Sequence, residues 1–360
     1  MAPLSSHVDP RVVAESLHGR AVERARLVTR SPVGYDPYLP GRVVERVRGT
    51  ARLRGGDDVP WSAVVKHTTG PGLRAARREL AVYRDGIADR GRPDGLLAPA
   101  LLAWEESEAH VELWLEALSD EHGGTWPVAR FGVAARHIAT WDVAAGPVPP
   151  SFDSQDAWAE RHGQPHRVAE ADAELERAGA APAAHELMDL LGDPGFRRTR
   201  ALVGTTVSRV RRLATFPQTL LHHDLVRSNL FALGPASTAA IDWENVGRGP
   251  RGVNLAPLVV GSVRRGEAPA AGLAELEDVV LSGYEEGLRR AGVADVADVR
   301  PAYRLALGLR WHTVLGTIGA WLDPSSTRIR GSRPDEPRAE SLQHLLALSR
   351  YLLDAGEQTS

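Results

Sequence analysis

The chain has 360 residues, a net charge of −3 at neutral pH and no cysteine. That excludes disulfides, thiolate zinc sites, iron–sulfur clusters and cysteine nucleophiles, and the near-balanced charge argues against a nucleic-acid partner. Pro and Gly make up one residue in six, below the level of low-complexity chains, so the chain reads as a folded protein with room for two units.

In chain order, Met1 to Arg20 lacks a basic segment followed by an apolar run, so no signal peptide is expected. Arg11–His18 has the spacing of an amphipathic helix. No window holds eighteen consecutive apolar residues, so no membrane partner and a cytoplasmic location are expected. Short alternating segments predict strands at Ala25–Thr29, Arg42–Val47, Ala51–Arg54, Ser62–His67, Ala98–Trp104 and His110–Leu115. One helix interrupts them, Gly72–Arg90, with Leu73, Ala76, Leu80, Tyr83 and Ile87 at helical spacing. Beyond Leu118 helices are predicted over Trp126–Val143, Gln155–Ala178, His185–Leu191, Pro194–Leu213, Leu273–Ala291, Pro301–Trp321 and Glu340–Leu353. Two short apolar runs, Thr219–Leu221 and Ala239–Ile241, flank a polar loop and read as a hairpin-like unit. The prediction is an α+β fold with a sheet-rich domain at residues 1–117 and a larger, mainly helical domain at 118–360.

Two rare residue types carry the chemistry. Lys66 is the sole lysine beside 42 arginines. Arginine replaces lysine at most surface positions, so a retained lysine marks a place that needs a compact ammonium. The three asparagines, Asn229, Asn245 and Asn254, fall within 26 residues. Among them runs His222-His223-Asp224-Leu225-Val226-Arg227-Ser228-Asn229, and Ile241-Asp242-Trp243 follows. A carboxylate (Asp242) and an amide oxygen (Asn229) are hard donors suited to Mg²⁺. A separate carboxylate, Asp224, can orient an acceptor hydroxyl and take its proton. Successive strand residues face opposite ways, so His222, His223 and Asp224 do not readily converge on one ion, and His222 is expected to brace the loop.

This set resembles the aminoglycoside phosphotransferase / choline kinase-like family, which has a two-lobed, protein-kinase-like fold. His222-His223-Asp224 and Asp242-Trp243-Glu244 favour its small-molecule branch over protein kinases, which more usually show His-Arg-Asp and Asp-Phe-Gly. The resemblance spans roughly Ala25 to Val260. It implies a kinase that uses Mg²⁺ and ATP or GTP on a small-molecule hydroxyl acceptor. It also implies that Lys66, at the end of Ser62–Lys66, contacts the phosphates and pairs with Glu79. Asp224 is then the base, and Asn229 and Asp242 hold the metal. Gly34, in the loop Ser31–Pro37, is the expected phosphate-covering position, and Glu116 and Leu118 border the expected adenine-binding hinge. Two departures stand out. No Gly-x-Gly-x-x-Gly precedes Lys66, and Asn254-Leu255-Ala256 stands where the family often has an acidic residue. A catalytically silent nucleotide- or ligand-binding member of the fold is the alternative, and a metal hydrolase built on His222 and Asp224 is a third reading. Glu244 near the metal, Arg227 on a phosphate, and Trp311 with Trp321 at an acceptor pocket are further candidates. The acceptor's identity and the oligomeric state are not legible.

Overall fold

The structure, a computed structural model, describes residues 8–33, 41–90, 95–153, 164–235, 237–323, 325 and 336–358. Packing divides it into two compact units: Met1–Asp89 with Leu97–Ser119 and Ala239–Asn245, and Arg90–Leu96 with Asp120–Thr238 and Val246–Ser360. No helix among the described residues is long and apolar enough to cross a membrane.

The first unit opens on α1 (Pro10–His18). The Asp9 side chain accepts from the Arg11 amide at 2.8 Å, and Gly19 ends the helix in the left-handed region. Its Val13 and Ala14 bury against a sheet whose core includes Val47, Trp61, Val65 and Trp114. The sheet is antiparallel. Its strands are β1 (Val22–Pro32), β2 (Arg42–Leu53), β3 (Asp58–Thr69), β4 (Leu101–Glu106) and β5 (His110–Glu116), in the order β1-β2-β3-β5-β4. The two strands expected at Arg42–Val47 and Ala51–Arg54 are one. Gly49 does not break β2; a Cβ there would lie 2.3 Å from the Trp61 ring, so this glycine clears the indole that packs over the strand. Helix α2 (Leu73–Arg84) stops short of the expected Arg90, because Gly86 turns the chain at φ 65° and the Ile87 amide closes on the Val82 carbonyl. The segment expected as a strand from Ala98 enters the sheet at Leu101, since Pro99 has no amide to offer.

The second unit is helical: α3 (Val128–Ala144), α4 (Pro165–Gly179), α5 (Ala184–Leu191), α6 (Arg197–Gly204), α7 (Thr206–Leu213), α8 (Leu273–Arg290), α9 (Val299–Gly308), α10 (Trp311–Leu322) and α11 (Arg338–Glu357). The expected helix at Pro301–Trp321 is two helices, because Leu309 and Arg310 bond three residues back and tighten the chain between α9 and α10. Of the expected helix Gln155–Ala178, residues 155–163 lie outside the described residues. Helices α3 and α8 meet backbone to backbone: a Cβ on Gly283 would sit 2.3 Å from the Gly132 carbonyl oxygen. This contact sets Asp142 of α3 beside Tyr284 of α8. The short strand β6 (Gln218–Leu221) pairs antiparallel with β7 (Gly247–Pro250), not with the Ala239 run in a hairpin. The Gly-Arg-Gly-Pro sequence of β7 has no apolar alternation to announce it.

Candidate active site

Lys66 leaves β3 between Val44 of β2 and Leu113 of β5, while its neighbour Val65 faces the core. Helix α2 brings Glu79, 2% exposed, to its ammonium, with 2.7 Å between Nζ and Oε1. Lys66 also reaches Asp242 Oδ1 at 2.9 Å. Asp242 occupies a turn with φ 67°, a conformation that costs a non-glycine residue about 1 kcal/mol or more. The buried Trp243 holds that turn, its indole N–H donating to the Ala240 carbonyl at 2.8 Å. One residue on, Glu244 pairs with Arg42 of β2.

Three carboxylates thus share this cluster with two cations, and oxygens of Glu79, Asp242 and Glu244 lie within 4.8 Å of one another. Burial works against the Lys66 charge, but Asp242 and Glu79 outweigh it and hold its pKa above the ordinary value. Burial pushes Glu79 up, with the Asp242 and Glu244 charges adding to it against the pull of Lys66. Glu244 is also raised, by burial and then by Asp242. A compact group of hard oxygens with a net negative charge suits a divalent cation.

The second unit builds the other set. β6 delivers fully buried His222, whose Nδ1 accepts from the Asp224 amide at 3.3 Å. His223 follows at φ 67°. Its amide donates to Asn254 Oδ1 at 2.9 Å, and its ring Nε2 lies 3.1 Å from the Arg248 carbonyl oxygen. Asn229 Nδ2 donates to the Asp224 carbonyl at 2.9 Å and approaches its carboxylate at 3.5 Å. The Asn229 amide oxygen is then the atom left to face a cation. Arg227 turns into the fold: it pairs with Asp120 at 3.4 Å, lies 4.1 Å over the Trp126 ring and donates to the Leu230 carbonyl.

No protein-family model matches the chain, and no curated protein matches it. Solved structures do. An aminoglycoside phosphotransferase from Alicyclobacillus acidocaldarius aligns over 92% of both chains at 13% identity, with a TM-score of 0.57. A putative fructosamine-3-kinase from Haemophilus somnus aligns over 96% of this chain and 95% of its own, at 11% identity and a TM-score of 0.50. An amicoumacin kinase, solved with AMP-PNP and Ca²⁺, aligns over 90% and 88%, at 12% identity and a TM-score of 0.50. The chain has the protein-kinase-like fold.

Within that fold Lys66, Glu79 and Asp242 come together in one unit, and Asp224 and Asn229 in the other. His222, His223 and Asp224 form no ligand cluster among the described residues. Gly34 lies outside the described residues. Glu116 ends β5, and its carboxylate accepts from the Ala100 amide at 3.2 Å. The Leu118 carbonyl accepts from Arg46 at 3.0 Å. Trp311 is buried, and Trp321 packs on Leu342 and Leu345. Sequence reasoning missed Arg42, Asp142 and Tyr284. The one signal for Asp142 was an acid beside Trp141 within the apolar pattern of α3.

Proposed function

We propose that the protein is a small-molecule kinase. It transfers the γ-phosphoryl group of ATP or GTP to a hydroxyl of a small acceptor of aminoglycoside, sugar or amino-alcohol type. The observation that carries this reading is the buried Lys66 bridge to Glu79 and Asp242, at 2.7 and 2.9 Å. In a phosphoryl-transfer site such a lysine neutralises the nucleotide phosphates, and its glutamate holds it in place. The His222–Asn229 loop supports the same reading, as does a structural neighbour solved with AMP-PNP and Ca²⁺.

Asp242 and the Asn229 amide oxygen would hold Mg²⁺, and Glu79 and Glu244 add negative charge beside Asp242. When bound, the metal neutralises charge on the phosphate oxygens. Asp224 orients the acceptor hydroxyl and receives its proton as the new phosphorus–oxygen bond forms. The bond from the γ-phosphorus to the bridging oxygen breaks, and the nucleoside diphosphate leaves with that oxygen. Glu116 to Leu118 would offer backbone to the base, and Gly34 would cover the phosphates.

The test incubates the full chain with MgATP or MgGTP and a panel of aminoglycosides, sugars and amino alcohols. Mass spectrometry is then used to find one added phosphate. Transfer that is lost in Asp224→Asn supports the reading. Tight nucleotide binding without modification of any acceptor favours a catalytically silent binder. Zinc-supported hydrolysis without transfer favours the metal hydrolase.

A further inference from the structure

We propose that Asp142 and Asn254 act as one positioning unit that locks the His222–Asp224 turn and so sets the Asp224 carboxylate. The importance of that carboxylate rests on the kinase reading; the lock itself does not. His223 sits at φ 67°, where a side-chain-bearing residue persists only if its surroundings over-determine it. Its amide, inside a buried turn, must find an acceptor. That acceptor is Asn254 Oδ1 at 2.9 Å. A backbone N–H can only donate, so the amide of Asn254 has one allowed orientation, and its Nδ2 turns to Asp142 at 3.1 and 3.4 Å.

Asp142 is built to receive it. The Tyr284 hydroxyl donates to the second carboxylate oxygen at 2.6 Å and accepts from the Gly252 amide at 3.3 Å. The Asp142 backbone carbonyl accepts from the Thr219 hydroxyl at 2.9 Å, three residues before His222. Asp142, Asn254 and Tyr284 are all 0% exposed. Burial pushes the Asp142 carboxyl up to about 8, against the pull of Tyr284, Arg251 and Asn254. The proposed chemistry uses neither Asp142 nor Asn254. Their residue types follow from each other: two donors face a group with two acceptor oxygens, and the amide passes that order on to the turn.

The test is a reciprocal swap. Asn254→Asp puts two carboxyls face to face. Above pH 8, where the Asp142 carboxyl is ionised, Asp142→Asn leaves one acceptor oxygen for two donors. The double variant D142N/N254D keeps one carboxylate and one amide in reversed order and satisfies every partner. Hydrogen–deuterium exchange over residues 220–230 is the first readout. Each single variant should exchange about 5–10-fold faster there, the loss of roughly one net hydrogen bond. The double variant should return to the parent rate. The second readout is the slow hydrolysis of MgATP by water. Its kcat should fall in the singles and recover in the double, with nucleotide affinity unchanged. If Asp142→Asn fails to fold, Tyr284→Phe removes one donor and should speed exchange in the same segment. Unchanged exchange in the single variants, or a double variant no better than them, overturns the proposal. A parent that transfers phosphate to no acceptor of the panel defeats the kinase reading, while the exchange measurement still decides the lock.

Discussion

Replacing Lys66 by methionine takes the ammonium from between Glu79 and Asp242 and keeps a side chain of similar length. The Lys66 side chain is 10% exposed and Glu79 is 2% exposed, so water replaces little of what is lost. Two charge-assisted hydrogen bonds go, at 2.7 and 2.9 Å, and the carboxylates left behind repel each other. Breaking one partner out of a buried ionic group costs about 3–5 kcal/mol. The loss depends on pH in a definite sense. Glu79 already titrates above its ordinary value, and without Lys66 it rises further. A carboxyl raised in the folded state favours folding while it is protonated and penalises it as it ionises. Lys66→Met should therefore melt closest to the parent near pH 5 and fall away as the pH rises towards 8. Lys66→Arg keeps the charge and should retain most of the melting temperature, yet lose nucleotide turnover, because a planar guanidinium does not replace a compact ammonium. Thermal melts of the three proteins at pH 5, 6.5 and 8, with MgATP turnover at pH 7.5, make the comparison. A Lys66→Met protein that melts like the parent at every pH refutes the electrostatic argument. A fully active Lys66→Arg refutes the phosphate-binding role.

Asp224→Asn should lower transfer by about 10²–10⁴-fold with little change in nucleotide affinity, measured by kinetics and nucleotide titration on the same preparations. Asp242→Asn should raise the Mg²⁺ concentration needed for half-maximal turnover; an unchanged metal titration and rate would remove Asp242 as a ligand. With the Asp142 carboxyl at about 8 in the fold, the native state holds a proton that the unfolded chain releases near pH 4, so stability declines between those values by up to about 1.4 kcal/mol per pH unit. Asp142→Asn removes that slope, so its melting temperature should gain on the parent's from pH 5 to pH 8; a constant gap would count against the buried acid.

The sheet-rich first unit and helical second unit were legible because both periodicities are written in apolar spacing. Lys66 and Asn229 stood out because lysine and asparagine are rare in this chain, and Glu79, Asp224 and Asp242 because of their spacing from them. What stayed hidden depended on contacts far along the chain. Gly49 looked like a strand end because nothing local says that Trp61 will lie over it. The β7 strand has no pattern at all, and pairs because β6 presents backbone groups that need partners. Asp142 lies 112 residues from Asn254 and 142 from Tyr284, so no spacing rule joins them.

Among the described residues three non-glycine positions have positive φ, Phe196, His223 and Asp242, and the last two, both at φ 67°, stand at the candidate site. Each of these two strained residues lies at or beside a carboxylate, Asp242 itself and Asp224, next to a buried contact that holds it. For Asp242 the contact is the Trp243 indole on the Ala240 carbonyl. For the turn before Asp224 it is Asn254 on the His223 amide. Glycine at either position would relieve the strain but would also widen the conformations open to the unfolded chain and loosen the turn. The asparagine at 254 is therefore compatible with a fixed loop. The amide keeps the acceptor that the turn requires, and Asp142 supplies the carboxylate one step further away. The carboxyl group stands one step back from the loop, in the helical core, and Asn254 keeps the contact at His223.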